Sequence, residues 1–194
     1  MSHFRGVKTN NAKITAKEKL RVIQGINNLS VLDIYCGAGE MYNAVWNKAK
    51  SYEGIDIKEF TDGRKLHIGD APQILKKINI DKFDVFDIDA YGSPYECLLI
   101  ILNKIKTRKI RHFIITDGIE IDLRMGNIEQ FFGILTGVES RKINNIHKIH
   151  DQLILKLLKN IEHNLNTKVS NFLIAKGKTG SGMRYYRFTI NDAV

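Results

Sequence analysis

Val31-Leu32-Asp33-Ile34-Tyr35-Cys36-Gly37-Ala38-Gly39-Glu40 opens on β-branched and aromatic residues, ends in a glycine turn and then becomes amphipathic. That order describes a strand entering a helix through a tight turn, where glycine lets the backbone approach a ligand with no Cβ in the way. Working outward, Tyr52–Ile57 reads as a second strand, His67-Ile68 as a weak third, Phe83–Ile88 as a fourth and Arg111–Thr116 as a fifth. Helical patterns over Glu40–Lys50, Ala71–Ile78 and Pro94–Lys106 separate them. Upstream, Ala16–Ile26 reads as a helix opened by a capping box of Thr15 and Glu18. Downstream, helical patterns dominate from Ile128 to Leu165, with breaks expected at Gly133 and Gly137. Val169–Ala175 and Met183–Ile190 then form a hairpin around the turn Gly177–Gly182.

Strands alternating with helices imply an α/β, Rossmann-like fold: a mostly parallel sheet with helices on both faces and an antiparallel C-terminal hairpin. Ligands of such sheets bind beyond the carboxyl ends of the strands, where strand order reverses. The whole chain, 1–194, is expected to form one domain, with 1–13 as a basic N-terminal segment.

Composition narrows the class. An apolar share of 43% is enough to build a core without disulfide or metal staples. No run approaches the roughly 20 apolar residues of a membrane span, and Met1–Lys13 has no apolar stretch of a signal peptide. The two cysteines, Cys36 and Cys97, form no CxxC pair, which points to a reducing, cytoplasmic setting and away from thiolate zinc. His147 and His150 share a helical face with no further ligand type nearby, so they read as a solvated face and no metal is expected.

The net charge of +9 is concentrated at the ends. Arg5, Lys8, Lys13, Lys17, Lys19 and Arg21 stand against Glu18 alone, and Lys168, Lys176, Lys178, Arg184 and Arg187 precede Asp192 with no acid between. Such surfaces draw a polyanion through its phosphates, so a nucleic-acid partner is expected; a biased composition rich in Lys, Ile and Asn is the plain alternative.

Asp56 closes the second strand about 20 residues after the glycine turn, the place of an acid that grips ribose hydroxyls. A dinucleotide fingerprint would need a third glycine at position 42, which is Tyr. Asp33-Ile34-Tyr35-Cys36-Gly37-Ala38-Gly39, Gly54-Ile55-Asp56 and Gly69-Asp70-Ala71 together resemble three motifs of the class I S-adenosylmethionine-dependent methyltransferases. The resemblance spans Val31 to Gly118 and implies S-adenosylmethionine as cofactor. By it, Asp33 and Gly37 line the methionine part, Asp56 the ribose, and Asp70 with Ala71 the adenine. Tyr35, Gly39, Ile57 and Asp89 complete the implied cofactor site. Asp70 also reads as an N-cap ahead of Ala71-Pro72. Cys36 sits where cytosine-C5 methyltransferases carry Cys-Gly-Ala-Gly, but the chain has no Pro-Cys nucleophile, so both cysteines read as packing residues.

The fourth strand ends in Asp87-Ile88-Asp89-Ala90-Tyr91-Gly92-Ser93-Pro94. The amine of a base is a poor nucleophile because its lone pair is delocalised into the ring. A carboxylate that accepts its N–H bonds favours a more nucleophilic nitrogen, and an aromatic face holds the base in line for transfer. Asp89 and Tyr91 are the expected catalytic pair. The segment resembles the Asp-Pro-Phe/Tyr-Gly-Ser-Pro motif of the tRNA guanine N2-dimethyltransferases, and Thr116-Asp117 lies where that family has a similar pair. Ala90 departs from the family's proline, and the family's longer chains carry a separate C-terminal domain. The resemblance implies N-methylation of a base amine in RNA, tRNA favoured, or in DNA. Ser93 and Glu96 also read as a helix cap.

Two other readings stay open. In a small-molecule or protein methyltransferase of the metal-dependent kind, Asp89 and Asp117 would supply carboxylates, although Gly118 follows where Asn is needed. In a non-catalytic binding subunit, or a homo-oligomer, the apolar spacing of Ile143–Leu165 would serve as an interface in place of core packing. His3–Lys13 is placed to close over the cofactor, and the Gly177–Arg184 turn to meet phosphates.

Overall fold

The computed structural model describes residues 12–106, 109–139, 142–177 and 182–192. Its sheet has seven strands in the order β3-β2-β1-β4-β5-β7-β6. These are β1 (Ser30–Ile34), β2 (Ser51–Asp56), β3 (Leu66–Ile68), β4 (Val85–Ile88), β5 (Arg111–Asp117), β6 (Thr167–Lys176) and β7 (Arg184–Asp192). The first five run parallel, and β7 lies antiparallel between β5 and β6. The chain leaves β1 toward β2 and β3 on one side and returns to β4 on the other, so strand order reverses between β1 and β4.

Side chains on a strand alternate between faces, and here the alternation separates two cores. Leu32, Ile34, Phe86, Ile88, Phe113, Ile115, Tyr186 and Phe188 face one core, with α3 (Ala71–Lys77), α4 (Tyr95–Lys104), α6 (Gln130–Thr136) and α7 (His150–Leu165) over it. Val31, Val85, Ile114 and Tyr185 face the other, under α1 (Ala12–Ile23) and α2 (Glu40–Ala44). Asp33 and Asp87 fall in step with Val31 and Val85. The parallel register then sets Asp33 opposite Asp87, so two carboxylates meet on the α1 side of the sheet.

Several elements depart from the sequence reading. The chain is already helical over 12–15, so Thr15 lies inside α1, and Glu18 pairs with Arg21 at 2.8 Å. The helix expected over Glu40–Lys50 stops at Ala44 and continues as a 3-10 turn over Trp46–Lys48. Val45 leaves helical geometry there, and the Trp46 indole donates 2.9 Å to Asp87, which draws the chain inward. Gly137 ends α6 with φ 63, but Gly133 lies within that helix against the Val138 carbonyl and breaks nothing. A short α5 (Glu120–Arg124) follows β5 without a sequence signal. Leu153, Ile154, Leu157, Leu158 and Ile161 of α7 are buried in the first core, which uses the apolar stripe that an interface would have needed. Among the described residues no helix is long and apolar enough to cross a membrane.

Candidate active site

Four acids from successive strands arrive at one edge of the sheet. Asp70 follows β3, Asp56 ends β2, Asp33 stands near the end of β1 and Asp89 follows β4, and these four strands are neighbours. The β1 turn begins where Tyr35 takes φ 67, its amide and that of Cys36 donating to the Ile55 carbonyl at 2.8 and 3.1 Å. Gly39, at φ 85, starts α2 in a left-handed conformation that side chains resist, and a Cβ there would stand 2.9 Å from the Arg64 guanidinium. Arg64 is buried beneath the turn. It donates to the carbonyls of Gly37 at 2.9 Å and Cys36 at 3.4 Å, and its Nε to Asp62 at 2.8 Å. No local pattern marked Arg64: Asp62 is two residues away, but the carbonyls it holds lie in the β1 turn.

The Asp56 carboxylate receives the Gly37 amide at 2.9 Å on one oxygen and the Lys58 amide at 2.9 Å on the other. A carboxylate has about four acceptor sites, so both oxygens stay available to hydroxyls while their direction is fixed. Asp70 caps α3 by accepting from the Gln73 amide at 3.4 Å and is exposed, as is Ile57, while Ala71 is buried. A Cβ at Gly37 would meet no protein atom within 4 Å, so open volume lies over the turn.

Asp33 sits deeper than the other three. It is 1% exposed, and its Oδ2 accepts from the Tyr52 hydroxyl at 2.9 Å while Oδ1 has no hydrogen-bond partner. Burial, and then the facing Asp87, pushes its carboxyl up to about 8. Asp87 is fully buried, and burial raises its pKa as well. Lys19 of α1 enters this acidic pair, although the sequence reading placed it on a basic surface. Its Nζ lies 2.8 Å from Asp87 Oδ1 and 3.0 Å from Asp89 Oδ2, ion-pair contacts off the line of a hydrogen bond. Burial favours its neutral form, but Asp87, Asp89 and Asp33 outweigh that and hold it charged.

Asp89 is fixed by its own amide, which donates to the Ile34 carbonyl at 2.9 Å, and its side chain is 34% exposed. Tyr91, two residues on, is 71% exposed. The loop that carries it is tied to the end of β5 by the Gly118 amide, 3.0 Å from the Gly92 carbonyl. Ser93 Oγ accepts from the Tyr95 amide at 3.3 Å, a turn-type contact and not the expected box with Glu96.

Behind that loop lies a buried polar network. Asp117 accepts from the Tyr95 hydroxyl at 2.6 Å and from the Ile119 amide at 3.0 Å, and it pairs with His150 Nε2 at 2.8 Å. His150 Nδ1 meets Glu120 at 3.1 Å, and Arg184 joins Glu120 at 2.6 Å to Asp151 at 2.7 Å. Burial pushes Glu120 up, but hydrogen bonds from His150 and Arg184 hold it below the usual range. His150 is therefore fully buried and does not belong to a solvated face. Arg184, expected among the phosphate contacts, is turned inward. Asp117 faces this network and so does not pair with Asp89 as the metal-dependent reading required. Both thiols are buried and pushed up to about 11, which leaves Cys36 and Cys97 as packing residues. Residues 3–11 and 178–181, expected to close over the cofactor and to meet phosphates, lie outside the described residues.

No protein-family model matches the sequence, and no curated protein sequence does. Solved structures do match. Trm1 from Pyrococcus horikoshii, in complex with S-adenosyl-L-methionine, aligns with a TM-score of 0.64 at 15% identity over 100% of this chain and 58% of its own. This chain thus spans little more than half of that one. TYW2 from M. jannaschii, in complex with AdoMet, aligns with a TM-score of 0.56 at 14% identity, covering 95% of this chain and 77% of its own. The N-methyltransferase NodS from Bradyrhizobium japonicum, in complex with S-adenosyl-L-homocysteine, gives 0.55 at 12% identity over 96% and 90%. The likeness is one of fold: the chain has the Rossmann-like fold of the S-adenosylmethionine-dependent methyltransferases.

Proposed function

We propose that this chain is an S-adenosylmethionine-dependent methyltransferase that N-methylates an exocyclic amine of a base in RNA, with tRNA favoured over other acceptors. The observation that carries the reading is the loop after β4. It presents a half-open carboxylate, Asp89, and an exposed ring, Tyr91, beside the glycine turn at the point where strand order reverses.

The residues present suit the cofactor. Open volume over Gly37, two amide-anchored oxygens on Asp56 and the partnerless buried Oδ1 of Asp33 offer a cradle, hydroxyl acceptors and a site for an ammonium. Asp33, Gly37, Tyr35 and Gly39 would hold the methionine part, Asp56 with Ile57 the ribose, and Asp70 with the Ala71 amide the adenine. When bound, the cofactor supplies an electrophilic methyl group on its sulfonium sulfur. Asp89 accepts an N–H of the incoming amine and takes the proton that the methylated nitrogen sheds. Tyr91 stacks on the base and fixes its plane, and positioning of this kind supplies most of the acceleration. Exposed Lys17 and Lys58 are available to phosphates.

Incubating the protein with methyl-labelled cofactor and separate pools of host tRNA, rRNA, DNA and protein tests the assignment. Label is expected in tRNA, with transfer falling steeply as salt rises. Label in protein alone, or in no pool, would overturn it. Arg64 gives a second check on the cofactor site. Arg64→Ala removes the donors that hold the Gly37 and Cys36 carbonyls, so the turn loses its preset shape. Calorimetry should show affinity for S-adenosylhomocysteine about tenfold weaker, or about 1.4 kcal/mol. An unchanged affinity would place Arg64 outside the cofactor's support.

A further inference from the structure

Lys19 stands where a solvent-facing helix residue was expected, and its surroundings give it a task. Three carboxylates on the α1 face of the sheet are within its electrostatic reach: Asp33, Asp87 and Asp89. Two of them are closed to solvent, with Asp33 at 1% and Asp87 at 0% exposure. Only Asp89, of these three, opens outward. Asp87 also holds the Trp46 indole at 2.9 Å, so it is fixed from two sides. The order from core to rim is therefore a rigid buried acid, a buried ammonium and a half-open acid.

We propose that Lys19 is a positioning residue for the methyl acceptor: anchored on Asp87, it holds Asp89 Oδ2 so that Oδ1 is left directed at the incoming amine. The proposal rests on the reading of Asp89 as the amine's hydrogen-bond acceptor. A free carboxylate turns about its last side-chain bond and aims at a nucleophile only part of the time. An ammonium 3.0 Å from one oxygen draws that oxygen inward and so restricts the turning. Its charge also offsets that of the acids facing it. A purely structural ion pair would need Asp87 alone. The second contact, toward the open acid, is what a structural role leaves without purpose.

During transfer the nitrogen–methyl bond forms as the sulfur–methyl bond breaks. The nitrogen then loses a proton to Asp89, which passes it to water on its open side. Lys19 stays protonated throughout and makes or breaks no covalent bond.

Lys19→Met alone would leave Asp87 buried and uncompensated and is prone to unfold. The test therefore compares Asp87→Asn, which keeps Lys19 against Asp89, with Lys19→Met/Asp87→Asn, which removes the cation without stranding a charge. Lys19→Gln, still able to donate to Asp87, is read in the same way if the double variant does not fold. Thermal melts followed by circular dichroism establish folding. With labelled cofactor and host tRNA, kcat of the double variant should fall about 10²-fold below that of Asp87→Asn. KM for the RNA, and calorimetric affinity for S-adenosylhomocysteine, should stay near the Asp87→Asn values. Equal kcat in the two variants would make Lys19 structural and overturn the proposal. A loss of S-adenosylhomocysteine affinity that accounts for the lost turnover would make Lys19 a cofactor ligand and overturn it as well. If the wild-type chain methylates nothing, the functional reading falls first, and this inference falls with it. That result comes from the wild-type arm alone and so cannot be confused with the other two.

Discussion

Asp89→Ala is expected to lower methyl transfer to RNA about 10³-fold while affinity for the cofactor persists. The separation follows from where the residue stands. Its amide is fixed on the Ile34 carbonyl at 2.9 Å, and an alanine keeps that bond. The glycine turn is held by Arg64 and Asp56, neither of which touches Asp89. Lys19 keeps Asp87 as a partner, so no buried charge is stranded. What disappears is the acceptor for the amine N–H and the first stop for its proton. Single-turnover transfer measured beside calorimetry with S-adenosylhomocysteine separates the two effects. Full turnover in Asp89→Ala would remove Asp89 from the chemistry, whatever the cofactor affinity.

Much of this candidate site is legible in the sequence because its signals are local. Asp33 to Gly39 must turn tightly from strand to helix, and Gly39 does so at φ 85 against the Arg64 guanidinium, where a side chain would not fit, so the motif announces itself in a few residues. Asp70 before Ala71-Pro72 is likewise a local cap signal. The alternation of strands and helices then fixes the fold class, because parallel neighbours require crossovers. The unreadable parts depend on partners distant in the chain. Arg64 looks like one more surface cation until β3 brings it under the turn. Lys19 and His150 occupy helices whose patterns admit either a solvent-facing or a buried reading, and only register and packing decide between them. Lys19 is drawn inward by the Asp33–Asp87 register, which no stretch of either strand reveals alone. His150 is drawn inward by Asp117 at the end of β5 and by Glu120 of α5. The second helix broke early for the same kind of reason: Trp46 found Asp87 across the sheet.

That register has a thermodynamic signature at Asp33. Its carboxyl is raised from the ordinary 3.8 to about 8 by burial and by Asp87. Below pH about 4 the folded and unfolded chains both carry this proton, and the group's contribution to stability is complete. As pH climbs from about 4 toward about 8 the unfolded chain ionises freely while the folded chain must keep the proton. The contribution is lost over that window. Asp33→Asn mimics the protonated form at every pH and can still accept from Tyr52. Urea unfolding should therefore find the variant and the wild type close near pH 4, with the variant increasingly the more stable toward pH 8. A gap that stays flat, or one that favours the wild type at pH 8, would mean that Asp33 is ionised in the fold. The same substitution should act in the opposite direction on binding. Above pH about 8, where the folded chain also gives up this proton, an ammonium placed at Oδ1 meets a charge in the wild type and none in Asp33→Asn, so calorimetry there should find the more stable protein the weaker binder of S-adenosylhomocysteine. A destabilising acid kept where a cationic ligand group would need it is the stability–function conflict expected of a binding site and not of a core.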